Sequence, residues 1–270
     1  MKEMGATMPF DAKRMIFGGF ASFVDETAGG AMGYADGYLL AVPVEKRDAY
    51  REVAQKAAAV FKEYGATRVV EAWGDDVPEG KVTDFKGAVK ATGDEGIVYS
   101  WVEWPSKEAR DLAWPKIMKD ERMQPDQVSM PFDGQRMIFG GFAPFVDESA
   151  GGRLGYADGF LVPVPVENKD AYRDLASKAA VVFKEYGATR VVEAWGDDVP
   201  EGKVTDYKGA VNATDDEVVV YSWIEWPSKQ ARDEGWKKVM ADPRMQPDKN
   251  TMPFDGQRMI YGGFAPIVDA

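Results

Sequence analysis

Apolar side chains recur along this chain in two rhythms. From Tyr34 to Val44 the sequence is rich in Tyr, Leu and Val without a helical period, which predicts a strand ending near Pro43. Between Glu45 and Tyr64, the residues Tyr50, Val53, Ala57, Phe61 and Tyr64 step by three or four, which predicts a helix. Gly65 stands where a left-handed C-terminal cap belongs. Thr67 to Trp73 predicts a second strand, Gly74 to Gly96 a long acidic loop, and Ile97 to Trp104 a third strand. Ser106 can cap a second helix through Lys119, with Trp114, Ile117 and Met118 on its apolar side. Met137 to Val146 predicts a last strand. The order β-α-β-β-α-β defines an α+β, ferredoxin-like unit, an antiparallel sheet with both helices on one face.

The whole pattern then repeats. Met-Pro-Phe-Asp begins at Met8, Met130 and Met252, each 122 residues apart. Without gaps, 91 of 122 positions are identical between 8–129 and 130–251. A period of that length is a small domain rather than a solenoid repeat. The expected parse is a surplus copy of the last strand plus linker at 1–32, domain one at 33–147, a Gly-bearing linker at 148–154, and domain two at 155–270. One copy difference has a direct consequence. Pro115 falls inside the second helix of domain one where domain two has Lys237, which predicts a bent or restarted helix in the first and a continuous one in the second.

A sheet with helices on one face needs cover on the other. Alternation places Tyr99, Trp101 and Glu103 on one face of the third strand and Val98, Ser100 and Val102 on the other. In the second strand, Glu71 and Trp73 share a face opposite Val70 and Ala72. The expectation is that the aromatic and acidic sets line the open face, and that the two tethered sheets close face to face into an intrachain dimeric α/β-barrel. The surplus strand around residues 8–25 is apolar and has no place of its own in that barrel. It is expected to pair elsewhere and to drive self-association, through exchange between chains.

Composition narrows the chemistry. Lys plus Arg is 33 and Asp plus Glu is 45, giving a net charge of −12. That sign argues against nucleic acid and membrane surfaces as partners. There is no Cys and no His, which removes disulfides, thiolate and imidazole catalysis and the commonest metal ligands. The expectation is therefore no metal and no cofactor. The apolar run from Met15 to Val24 recurs at Met137 and Met259, so it reads as a strand rather than a leader, and a cytoplasmic location is expected.

Several strings carry a family resemblance. They are Gly-Asp-Asp-Val-Pro-Glu-Gly-Lys-Val-Thr from Gly74 and Gly196, Tyr-Ser-Trp from Tyr99 and Tyr221, and Met-Pro-Phe-Asp-Gly-X-Arg-Met-Ile-X-Gly-Gly-Phe. Together they resemble the YbaA-like bacterial family of unknown function, over both repeats nearly end to end. The resemblance implies a dimeric barrel of ferredoxin-like units and no established activity. Barrels of that broad architecture include cofactor-free monooxygenases, which is an analogy of fold alone. Tyr64 and Tyr186 stand where the family pattern has His, and Ala72 and Ala194 near an expected Cys.

The candidate ligand-binding set is Glu71, Trp73, Tyr99, Trp101, Glu103 and Arg136, with Glu193, Trp195, Tyr221, Trp223, Glu225 and Arg258 as its copy. Paired carboxylates beside indole rings can have raised pKa values and act as acid and base. They can equally lie at the sheet edge in water or pair with Arg136 and Arg258, and the Trp residues can equally be core. The loop Gly74 to Lys81 has the wrong spacing for a phosphate loop, and its Asp75 and Asp76 serve either a hard cation or a turn. Two readings of function stay open: metal-free binding of a small organic molecule in the barrel, or a structural, self-assembling chain, natural or engineered, without catalysis. A pocket lined by Glu71, Trp101 and Arg136 would favour the first, and a filled barrel with strand exchange between chains the second.

Overall fold

Each repeat lays down four strands and two long helices in the expected order. The computed structural model describes residues 32–124, 130–245 and 252–270. The first repeat runs β1 (Tyr34–Pro43), α1 (Arg47–Glu63), β2 (Arg68–Asp76), α2 (Phe85–Ala88), β3 (Glu95–Trp104), α3 (Lys107–Ile117) and β4 (Ile138–Ser149). The second runs β5 (Tyr156–Pro165), α4 (Lys169–Glu185), β6 (Arg190–Asp198), α5 (Tyr207–Ala210), β7 (Glu217–Trp226), α6 (Lys229–Ala241) and β8 (Ile260–Asp269). The surplus strand expected at 8–25, and the self-association assigned to it, lie outside the described residues. No helix among the described residues is long and apolar enough to cross a membrane.

Local chemistry sets the ends of the elements. Gly65 closes α1 at φ +105° and Gly187 closes α4 at φ +104°, a region a side chain rarely enters. Ser106 caps α3 by accepting from the Ala109 amide at 3.1 Å. The loop expected from Gly74 to Gly96 is partly ordered: β2 continues to Asp76, and Asp84 caps the short helix α2 by accepting from the Gly87 amide. α3 does not restart at Pro115 but runs two residues past it, and α6 is longer, at 13 residues against 11. Asp111, whose carbonyl Pro115 cannot bond, is exposed, so water can take that carbonyl's hydrogen bond.

The eight strands form a closed barrel in the order β1-β3-β2-β8-β5-β7-β6-β4. Every pairing is antiparallel. The halves join edge to edge rather than face to face. β2 pairs with β8 along one seam, and β4 with β6 along the other. Both seams carry register shifts, one beside Pro144 and its counterpart beside Pro266. A bulge tolerates a residue without an N–H. The second shift leaves Asp75 in β2 and Asp197 in β6 unpaired, free to turn their carboxylates toward the other half.

Among the described residues three apolar clusters follow from this closure. One fills the barrel and draws on both halves, including Tyr99, Trp101, Phe142, Tyr221, Trp223 and Phe264. The other two lie outside the barrel wall, under α1 and α3 and under α4 and α6. The faces of β3 are as expected, with Tyr99 and Trp101 inward and Val98 and Val102 under the helices. The faces of β2 are reversed. Register puts Val70 opposite Trp101, Ala72 opposite Tyr99 and Glu71 opposite Ser100, and directly opposed residues share a face. Val70 and Ala72 therefore point into the barrel, and Trp73 points under the helices. The reason is volume. Barrel interiors alternate large and small residues, and small side chains on β2 make room for the rings of β3.

Candidate functional site

The barrel interior is built in layers along β3 and β7. At one end, Arg190 donates to Glu103 at 2.8 Å and Arg68 donates to Glu225 at 2.9 Å, each bond crossing from one half to the other. The crossed pairs stand at 3.6 Å, closing a four-membered charge ring. Asp147 and Asp269 take the remaining guanidinium N–H groups. The Trp101 indole donates to Glu103 at 3.1 Å and the Trp223 indole to Glu225 at 3.2 Å. In the next layers Trp101 stacks on Trp223 at 4.9 Å, and Tyr99 on Tyr221 at 4.5 Å. Each Tyr hydroxyl donates to a carbonyl of the opposite half, Ser222 for Tyr99 and Ser100 for Tyr221. Gly37 and Gly159 are needed here: a Cβ on Gly37 would lie 2.8 Å from the Tyr221 ring, and one on Gly159 would lie 2.9 Å from Tyr99.

These contacts account for half of the residues singled out from the sequence. Tyr99, Trp101, Tyr221 and Trp223 are fully buried against each other, and Glu103 and Glu225 are consumed by Arg190 and Arg68. The others lie elsewhere. Glu71 and Glu193 sit on the helix side of the wall, where Tyr50 donates to Glu71 at 2.6 Å and Tyr172 to Glu193 at 2.8 Å. Burial pushes both carboxyls up to about 7, against the lowering effect of those hydroxyls and of Ser100 and Ser222. Glu71 and Glu103 therefore do not meet, because they occupy opposite faces of the sheet. Trp73 and Trp195 lie outward under the cations of Arg47 and Lys169. Arg136 pairs with Glu95 at 2.7 Å and Arg258 with Glu217 at 2.6 Å, which holds those carboxyls down at about 2. Among the described residues Glu71, Trp101 and Arg136 therefore lie apart, with Glu71 on the helix side of the wall, Trp101 in the barrel and Arg136 on Glu95.

The acidic loops are likewise accounted for. Asp75 accepts from Tyr156 and lies 3.2 Å from the Lys229 ammonium, while Asp76 pairs with Arg232. Asp197 accepts from Tyr34 and Lys107, and Asp198 from Arg110. These are ties between the halves. Among the described residues no group of three or more His, Cys, Asp or Glu could hold a metal.

Open space lies at the other end of the barrel. The short helices α2 and α5 send Phe85 and Tyr207 into the interior, where they pack edge-on against Phe264 and Phe142. Between the helices is a cleft of about 450 Å³, within the usual range for small-molecule sites. Gly80, Val82, Thr83, Asp84, Gly87, Ala88 and Lys90 face their copies across it. The Thr83 hydroxyl donates to the Ala210 carbonyl and the Thr205 hydroxyl to the Ala88 carbonyl, which fixes the two walls to each other. In the sequence this segment reads only as part of the long acidic loop from Gly74 to Gly96, which does not mark a site. The signal available is the repetition of Gly80 to Val89 at Gly202 to Val211, changed only from Phe85 to Tyr207.

An eight-stranded α/β barrel assembled from two repeats is a known shape. A monooxygenase-like protein of Fusobacterium nucleatum superposes with TM-score 0.53 at 10% identity, over 88% of this chain and 94% of its own. A second, from Lactobacillus acidophilus, gives 0.53 at 12% identity, over 89% and 96%. Likeness at that identity is a likeness of fold alone. The chain itself belongs to the family described as "Protein of unknown function (DUF1428)", which matches residues 33–134 and again 155–256. Among its relatives is the uncharacterized protein YbaA of Escherichia coli K12, 60% identical over 116 residues, covering 43% of this chain and 99% of the relative. The YbaA protein of Shigella flexneri matches equally.

Proposed function

We propose that this protein binds a small polar organic molecule, without a metal, in the cleft between α2 and α5. One observation carries the reading. The barrel interior is filled with stacked rings and paired charges, whereas about 450 Å³ stays open at its mouth. The lining is polar, with the Asp84 and Asp206 carboxylates, two threonine hydroxyl oxygens, Asn212 and the Lys90 cation drawn from two walls, which suits a polar guest. The monooxygenase names of the two structural neighbours are in keeping with small-molecule binding and say nothing about the guest. On this reading each half is a ferredoxin-like unit, bounded near 33–147 and 155–270. Their pseudo-two-fold pairing makes a cleft that neither half possesses.

A nuclear magnetic resonance screen of small polar compounds tests the proposal. The amides of Gly80, Gly87, Gly202 and Gly209 report on the cleft, and the indole N–H signals of Trp101 and Trp223 report on the barrel. Binders should move the first set and leave the second in place. Movement of the indole signals alone would return the site to the interior and overturn the reading.

A further inference from the structure

The two walls of the cleft differ at one position. Of the seven residue pairs that line it, six are identical, and the seventh is Lys90 against Asn212. Both residues adopt a left-handed backbone, at φ +50° for Lys90 and +49° for Asn212. Asn tolerates that conformation, whereas Lys enters it at a cost. Arg136 holds the strained turn in place by donating to the Lys90 carbonyl at 3.0 Å, as Arg258 does for Asn212 at 2.9 Å. The acids of the lining are already engaged. Asp84 accepts from the Gly87 and Gly80 amides, and Asp206 from those of Gly209 and Gly202. Among the described residues Lys90 is the one basic residue in the lining, and it is exposed.

We infer that the cleft takes a small organic anion in one orientation, its carboxylate on the Lys90 ammonium and its neutral end toward Asn212. The inference rests on the cleft being the binding site and adds the ligand's charge and direction. Backbone strain at a functional position is a recognised cost of presenting a needed side chain. A point charge suits a carboxylate because a charge-assisted hydrogen bond outlasts competition from water better than a neutral one. Asn212 supplies both a donor and an acceptor, which serves an uncharged polar group of either kind.

Benzoate and its neutral counterpart benzamide are the probes, titrated against the full chain while the cleft glycine amides are followed. Benzoate should bind about tenfold more tightly than benzamide, the factor expected for one charge-assisted hydrogen bond. Lys90→Asn should erase that preference and, by relieving the turn, raise Tm by about 2 °C. Lys81→Asn, at an exposed lysine of the same loop outside the lining, should leave the preference intact. Asn212→Lys should create a second, equivalent benzoate site. Equal binding of both probes at the cleft would overturn the anion inference and leave the cleft reading standing. Loss of preference in Lys81→Asn as well would reduce it to general surface charge and overturn it too. If neither probe moves the cleft amides at millimolar concentration, the cleft reading itself fails.

Discussion

Tyr207 buries a hydroxyl that finds no hydrogen-bond partner among the described residues, while its copy Phe85 occupies the same place without one. An unsatisfied buried hydroxyl costs about 1–3 kcal/mol. Tyr207→Phe should therefore stabilise the fold by about 1 kcal/mol, measured by denaturant unfolding; a loss of stability would show that the hydroxyl has a partner. Glu71 and Glu193 make a second case, because burial holds their protons to about pH 7. The unfolded carboxyl titrates near ~4.3, so between that pH and 7 the unfolded chain binds fewer protons than the folded one. Stability from these groups is full below ~4.3 and falls as pH rises to 7. The double variant Glu71→Gln and Glu193→Gln should flatten that decline, and an unchanged slope would assign it to other groups. Both carboxylates were visible in the sequence as candidates, but their partners Tyr50 and Tyr172 lie 21 residues away on another element. Alternation alone cannot say which face of β2 the barrel claims, and that uncertainty put Glu71 on the wrong one.

Asp36 shows how strands and helices are pinned together. Its buried carboxylate accepts from the indoles of Trp104 and Trp114 and from Arg110, which joins β1 and β3 to α3. Asp158 repeats the arrangement with Trp226, Trp236 and Arg232. Burial raises the Asp36 carboxyl, and Arg110 and the two indoles oppose that rise. Asp36→Ala would orphan the buried Trp104 indole, the half-buried Trp114 indole and part of a guanidinium, at about 3 kcal/mol. Thermal unfolding checks this, and a change within ~0.5 kcal/mol, ordinary for a surface site, would contradict it. The motif Gly-Tyr-Ala-Asp-Gly was legible as a repeat, yet its meaning needed the fold. Asp36 serves a helix some seventy residues on, and Gly37 admits a ring from the opposite half. The long elements were readable because helix period and strand alternation are local. The short helices α2 and α5, four residues each, are too brief to carry a period, and with them the cleft escaped notice.

The charge ring of Arg68, Glu103, Arg190 and Glu225 locks the two halves at one end of the barrel. Replacing Arg68 and Arg190 with Met strands two buried carboxylates and should cost more than about 3 kcal/mol. Adding Glu103→Leu and Glu225→Leu should recover most of that loss, since an apolar set can replace a buried ion network. Denaturant midpoints of the double and quadruple variants decide this, and a quadruple variant no better than the double would refute it. Closure of the barrel within one chain has a further consequence, and it concerns heredity. In a pair of identical subunits any mutation strikes both walls at once, so the two-fold axis survives every change. Here each wall has its own codons. Between 33–147 and 155–269 the two halves differ at 27 positions, and Lys90 against Asn212 is one of them. Joining the repeats in one polypeptide gives selection a handedness at the cleft that a symmetric pair cannot inherit.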